Sequence, residues 1–209
     1  MKLYDCTTAP SPRRVRIFAA EKGLALELVQ VDLGSGEQFS AAFRAINPDC
    51  VVPVLELDDG SHLTEVLAIC DYLESRHAEP RLFGSGAAER ATILMWNAKA
   101  EQQGLWPMAD AFRNFTKGLR GRALPGPDSY EQIPELAARG RLRVAAFFDK
   151  LNTRLGEAEY LAGDHYSIAD ITALVLVDFA ARLKINIADD ASALQRWYQA
   201  VAARPSASA

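Results

Sequence analysis

The sequence predicts an α/β domain followed by an all-helical one, and three observations carry that reading. The first 76 residues alternate short β-branched runs with helical periodicities in the order β-α-β-α-β-β-α. A Pro/Gly-rich bridge follows, from His77-Ala-Glu-Pro80 to Gly84-Ser-Gly86, and after it strand signals vanish for the rest of the chain. The domains therefore divide at residues 1–77 and 87–209, joined by a linker at 78–86. A chain of 209 residues that is 49% hydrophobic can bury two modest cores.

Lys2 to Cys6 reads as the first strand. Val15, Phe18, Ala19 and Lys22 mark one face of a helix from Pro12 to Lys22, closed by Gly23. Glu27 to Val31 is the next strand, and strand, helix and parallel strand in so few residues make a right-handed βαβ unit. Ser40 to Ile46 is a short helix. Val54 to Leu57 and Ser61 to Leu63, broken by Asp58-Asp59-Gly60, form a β-hairpin. Thr64 reads as the N-cap of a helix from Glu65 to Arg76, with Glu65 as a first-turn carboxylate.

In the second half, helical spacing runs from Ala87 to Phe115 and ends in a loop rich in Gly and Pro, Gly118 to Pro127. Ile133 to Leu155 is a long helix. Tyr166-Ser-Ile-Ala-Asp-Ile171 holds a capping box, with Ser167 at the N-cap and Asp170 three positions on, and it opens a nearly all-apolar helix to Leu183. A helix apolar on every side belongs at a buried axis. Ala191 to Ala203 is the last helix, and the tail from Pro205 is expected to be loose.

Several function classes drop out on charge and composition. A net charge of −4 leaves no basic footprint for nucleic acid or an anionic membrane. No run approaches the roughly 20 apolar residues of a membrane span, and the start is not a secretory signal, so a cytoplasmic protein is expected. Cys6, Cys50 and Cys70 are scattered, without C-x-x-C spacing, which argues against a disulfide framework. His62, His77 and His165 show no ligand spacing, so no metal is read.

The stretch from Asn47 to Glu65 carries the chemistry. Pro53 has no N–H to give a ladder, so it fits only at the mouth of a strand, where a cis turn costs little and presents the backbone of Val52 sideways. A backbone edge then lies beside a helix N-terminus. One can pair with an extended peptide and the other can receive a carboxylate.

At Asn47, Pro48, Val52, Pro53, Leu55 and Glu65 the sequence resembles the cytosolic glutathione transferases. In that family an N-P-x-x-x-V-P-x-L run in a thioredoxin-like domain precedes an acidic residue that opens a helix. Leu161-Ala-Gly163 and the capping box resemble the family's helical domain, so the likeness spans the chain. It implies the glutathione transferase fold, with glutathione as co-substrate, a small hydrophobic electrophile as partner and a homodimer as the assembly. It also implies that the main chain of Val52, beside Pro53, pairs with the cysteinyl unit, while Glu65 and Val66 hold the γ-glutamyl end. Relatives usually have serine where this chain has Val66, so here only the backbone N–H is offered. Gln38 stands where relatives often have a histidine or lysine for the glycyl carboxylate, and its alternative reading is an exposed loop amide.

Glutathione's thiol resembles a free cysteine with a pKa near 8.5. Lowering it by two units needs about 2.7 kcal/mol of preference for the anion. One hydrogen bond to the charge contributes roughly 1.5–3 kcal/mol and a helix N-terminus roughly 0.3–2 kcal/mol, so one donor plus one dipole suffices. The family keeps its tyrosine, serine or cysteine in the loop Cys6 to Arg13, and the position that is usually serine or cysteine falls on Ala9. In this the chain is similar to atypical bacterial and fungal members with a small residue there. Ser11 and Thr8 are the nearest hydroxyls, and Ser11 also reads as an N-cap before Pro12. Tyr4 reads as core packing, as do Cys6 and Cys70, while Cys50 is the cysteine placed to approach the ligand.

The resemblance also implies an electrophile pocket in the helical domain, for which Trp106, Phe112 and Asn114 are the candidates. Aromatic residues at helical spacing equally suit a core. The leading function is a transferase that joins the glutathione thiolate to small hydrophobic electrophiles. The alternatives are a non-catalytic glutathione-binding or regulatory protein on the same scaffold, and a glutathione-dependent reductase or isomerase.

Overall fold

A computed structural model describes residues 1–209. The chain forms two compact units: Met1–Pro80 with Pro125–Asp128 and Ser208–Ala209, and Arg81–Leu124 with Ser129–Ala207.

The first unit contains β1 (Lys2–Asp5), α1 (Pro10–Glu21), β2 (Glu27–Gln30), α2 (Ala41–Ile46), β3 (Val54–Glu56), β4 (His62–Leu63) and α3 (Val66–Arg76). Its four-stranded sheet has the order β2-β1-β3-β4, with β1 parallel to β2 and antiparallel to β3, and β3 antiparallel to β4. This is a mixed, thioredoxin-like sheet. The apolar face expected of α1 is buried, and so are Arg14 and Arg16 between its apolar positions. The helix ends in a Schellman motif: Leu24 N–H bonds Ala19 O at 2.9 Å and Gly23 N–H bonds Ala20 O at 3.0 Å. Gly23 takes φ +64°, where a side chain would be strained.

Helix α1 begins two residues earlier than expected, because Ala9 precedes Pro10 and is held extended at φ −88°, ψ 138°. Pro10, with its fixed φ and missing N–H, opens the helix in place of Pro12. Lys22, at the other end, has a side chain closed off from solvent. Its ammonium bonds the carbonyls of His77 at 2.7 Å and Pro80 at 2.6 Å and pairs with Glu74, which pins the chain leaving α3.

The second unit is helical: α4 (Ala87–Lys99), α5 (Trp106–Phe115), α6 (Pro134–Glu157), α7 (Ile168–Ala181) and α8 (Ser192–Ala202). The single run expected from Ala87 to Phe115 is divided by a π-helical segment, Ala100–Leu105. Pro107 has no N–H to continue the α ladder, and Gly104 lets the widened turn press against Leu176 and Phe147. Helix α7 is buried along nearly its whole length, as its all-apolar sequence requires. Its capping box is present. Asp170 accepts from Ser167 N–H at 3.0 Å and Ser167 Oγ at 2.9 Å on one oxygen. The other oxygen takes Leu161 N–H at 3.0 Å and Trp197 Nε1 at 2.9 Å. The tail is ordered where looseness was expected: Pro205–Ser208 form a 3-10 turn and bury Ser206. No helix is long and apolar enough to cross a membrane.

Candidate functional site

The β-ladder registers bring the site together. Tyr4 pairs with Val54 and Leu55 with Leu63. Past those pairs, Cys6 and Val52-Pro53 leave the β1–β3 ladder at the same end of the sheet at which Thr64-Glu65 leaves the β3–β4 pair. The ladder stops because Pro53, buried and joined to Val52 by a cis bond, offers no N–H. The N–H and C=O of Val52 pair with no other backbone group of the chain. Asn47, buried inside the turn, holds this geometry: Nδ2 bonds Val51 O at 2.9 Å and Oδ1 accepts Asp49 N–H at 3.1 Å. That role was not apparent in the sequence, where Asn47 stood only as part of a motif.

Glu65 is the N-cap of α3 rather than a residue of its first turn, and Thr64 lies one position outside. The reason is the backbone: Glu65 sits at φ +64°, ψ +125°, which no helical residue can adopt. A non-glycine residue held there costs of order 1–3 kcal/mol, the kind of strain that accompanies a functional position. Its exposed carboxylate makes no bond within the chain, and no side chain caps the helix. The first turn of α3 thus offers its N–H groups, beginning at buried Val66, at the positive end of the helix dipole.

Four residues, Cys6 to Ala9, lead from the end of β1 to the start of α1. Ala9 is the N-cap and provides no side-chain bond, as its methyl group dictates. Ser11 is not the cap; it occupies the second helical position, half-buried. Pro10 and Pro12 have no N–H, so Ser11 carries the only one among the first three helical residues. Thr8 is exposed, its hydroxyl 3.5 Å from Cys6 Sγ. Cys6 is therefore half-buried beside a polar group, not packed as a small hydrophobe. Cys70 is packed as expected. Cys50 is buried and gives its thiol to Pro48 O at 3.4 Å, so it is not positioned to approach a ligand.

Gln38 is buried on a 3-10 turn, Glu37–Phe39, which removes the exposed-amide alternative. Its Oε1 has no partner in the chain. Tyr4, read as core packing, also donates its hydroxyl to Glu56 at 2.7 Å. That bond to a carboxylate raises the Tyr4 phenol above its ordinary range and lowers the Glu56 carboxyl below its own. A phenol so committed is a poor activator for a thiol.

Of the three electrophile-pocket candidates, Trp106 is 63% exposed and Phe112 packs its ring against Phe179 at 5.1 Å. Asn114 has another task. It donates to Asp110 O at 3.0 Å and accepts from Ile133 N–H at 2.8 Å, tying α5 to the start of α6.

Comparison with known proteins adds to this geometry. The family model of the glutathione S-transferase N-terminal domain matches residues 8–76, and that of the C-terminal domain matches residues 122–205. Glutathione S-transferase 2 of Saccharomyces cerevisiae is 36% identical over 209 residues, covering 99% of this chain and 87% of the relative. Disulfide-bond oxidoreductase YfcG of Escherichia coli is 31% identical over 212 residues, covering 97% and 92%. The crystal structure of a glutathione S-transferase domain-containing protein from Marinobacter aquaeolei VT8 superposes with a TM-score of 0.91 at 39% identity, covering 99% of both chains. With both domains matched in order and a relative of this identity aligned end to end, the chain belongs to the cytosolic glutathione S-transferase family.

Proposed function

We propose that this protein binds glutathione along the edge at Val52 and conjugates its thiolate to small hydrophobic electrophiles. The observation that carries the reading is the unpaired main chain of Val52 lying beside the uncapped start of α3 and the partnerless carboxylate of Glu65. An extended cysteinyl unit supplies the C=O and N–H partners that the main chain of Val52 lacks. A γ-glutamyl end brings an α-ammonium for Glu65 and a carboxylate for the N–H groups that begin at Val66. Pro53 holds the edge open, and the side-chain Nε2 of Gln38 donates to the glycyl carboxylate.

The sulfur then lies toward the start of α1. Thiolate stabilisation falls to the N–H and hydroxyl of Ser11, to the hydroxyl of Thr8 and to the helix dipole, because Ala9 has nothing to donate. The chemistry is positioning plus stabilisation of one anion. On the electrophile side we assign exposed Trp106 and half-buried Phe112; Asn114 shapes that wall indirectly through its ties to Asp110 and Ile133. We place the activity in the cytoplasm, in a homodimer, and in the clearance of reactive electrophiles.

The test is retention on immobilised glutathione combined with conjugation of chlorodinitrobenzene. Glu65→Ala should abolish retention. Ser11→Ala, which removes a hydroxyl and keeps the N–H, should lower kcat about ten-fold, the equivalent of one modest hydrogen bond. A second reading is favoured by Ala9 and Val66, which lack the hydroxyls usual at those positions: a glutathione-binding protein without turnover. Retention without conjugation would select it. Reduction of a glutathione mixed disulfide, with no conjugation, would instead select a reductase.

A further inference from the structure

The loop between β1 and α1 is held by a polar cluster, buried at Asp5 and Arg16 and open to solvent at Thr7 and Gln30, that the resemblance does not account for. Cys6 to Ala9 form a turn closed by its own bond, Ala9 N–H to Cys6 O at 2.9 Å. Every polar group of Thr7, the second residue of that turn, is engaged. Its N–H and hydroxyl both donate to Gln30 Oε1, at 3.1 and 2.8 Å. Its carbonyl accepts from Arg16 Nη2 at 3.2 Å. Arg16 and Gln30 are in turn tied to one anchor, because Arg16 Nη1 and Gln30 Nε2 each donate to a different oxygen of Asp5. Asp5 is 1% exposed and Arg16 8%. The cluster is a closed cycle that spans the end of β1, α1 and the end of β2.

A buried ion pair of this kind contributes little net stability compared with an apolar pair of the same volume. Its consequence lies in what it fixes. We propose that Asp5, Arg16 and Gln30 are positioning residues that set the Thr7 turn, and through it the aim of Thr8 and of the Ser11 N–H at the glutathione sulfur. This rests on the glutathione reading above. A catalytic donor displaced by about 1 Å can cost up to about a hundred-fold in rate, so a turn carrying such donors needs rigid support of this sort.

Gln30→Ala tests the proposal with little risk to folding, because Gln30 is exposed and lies on an edge strand. The full-length variant should keep its melting temperature and bind glutathione within about two-fold of wild type by calorimetry, while kcat for chlorodinitrobenzene conjugation falls about ten-fold or more. The Thr7 amide should exchange faster with deuterated solvent. The double variant Asp5→Leu/Arg16→Met, which leaves no unpaired charge, should show the same split. Thr7→Ser, which keeps the hydroxyl, should retain activity that Thr7→Val loses. Unchanged kcat in Gln30→Ala with a faster Thr7 amide overturns the proposal, as does a parallel loss of kcat and of glutathione affinity. Wild-type protein that binds glutathione without conjugating it overturns the proposal and leaves the binding site standing; wild-type protein that does not bind glutathione overturns the glutathione reading itself.

Discussion

Tyr4 illustrates how a single side chain is assigned by its partner. Its hydroxyl donates to Glu56, whose other oxygen takes Lys2 Nζ at 2.9 Å, and the bond to Glu56 is the main reason the phenol is raised above its ordinary value. The same bond lowers Glu56 below its ordinary 4.5. A carboxyl whose folded pKa is depressed contributes stability that is present above the unfolded value and lost as pH falls through the folded one. Acid titration followed by circular dichroism should therefore show Tyr4→Phe losing less stability than wild type as pH drops below about 4.5. Spectrophotometric titration should place the Tyr4 phenol above 10 and show it returning toward 10 in Glu56→Ala. Conjugating activity should survive Tyr4→Phe. Residues of this kind were only half legible in the sequence: Tyr4 was placed in its strand, but a hydrogen bond between residues 52 positions apart follows from strand register, which local pattern does not encode. Arg16 was not singled out in the sequence. A charge on a helix turn otherwise given to Val15, Ile17 and Ala19 signals a buried partner, and that signal was available before any coordinates.

At the scale of elements, periodicity located the strands and the helices, with α4 and α5 read as one run, and the shifts came where backbone chemistry competes with side-chain pattern. The Pro-Ser-Pro start of α1 satisfied the N-terminal rule at either proline, and the first one prevailed because it alone extends Ala9. Glu65 moved from the first turn of α3 to its cap because its φ is positive, a property visible in sequence only when glycine reports it. The π segment was invisible for a related reason: its cause is the missing N–H of Pro107 together with close packing at Gly104. The close packing can be tested. A Cβ on Gly104 would lie 2.3 Å from Leu176 Cδ2, the far end of a flexible side chain, whereas a Cβ on Gly140 would lie 2.4 Å from Pro107 O and 2.9 Å from Ala111 N, both backbone. Leu176 can change rotamer; α5 and α6 must move apart. Gly104→Ala should cost about 1–3 kcal/mol and Gly140→Ala more, and urea unfolding of the two variants checks the order. Equal costs would mean that α5 and α6 adjust more easily than their backbone contact implies.

For the whole molecule, the decisive quantity is how ligand binding is linked to folding. A ligand that binds only the native state stabilises it by about 2.7 kcal/mol at a concentration of one hundred times Kd. For a chain of this length that corresponds to a rise in melting temperature of roughly 5–10 °C. Glu65 makes the prediction specific to the site. Its strained backbone is tolerated by glycine, so Glu65→Gly should relieve of order 1 kcal/mol of strain, partly offset by about 0.5–1 kcal/mol of extra unfolded-chain entropy. Its melting temperature without ligand should be equal to or above that of wild type. Glutathione should raise the wild-type value and leave Glu65→Gly unmoved, because the carboxylate proposed to meet the α-ammonium is gone. A variant less stable than wild type that still responds to glutathione would show that the cap conformation serves the fold alone, with the γ-glutamyl end held elsewhere. Equal or greater stability with the response lost would show strain held in the native state for the sake of binding, which is what the proposed glutathione site requires of the positive φ at Glu65.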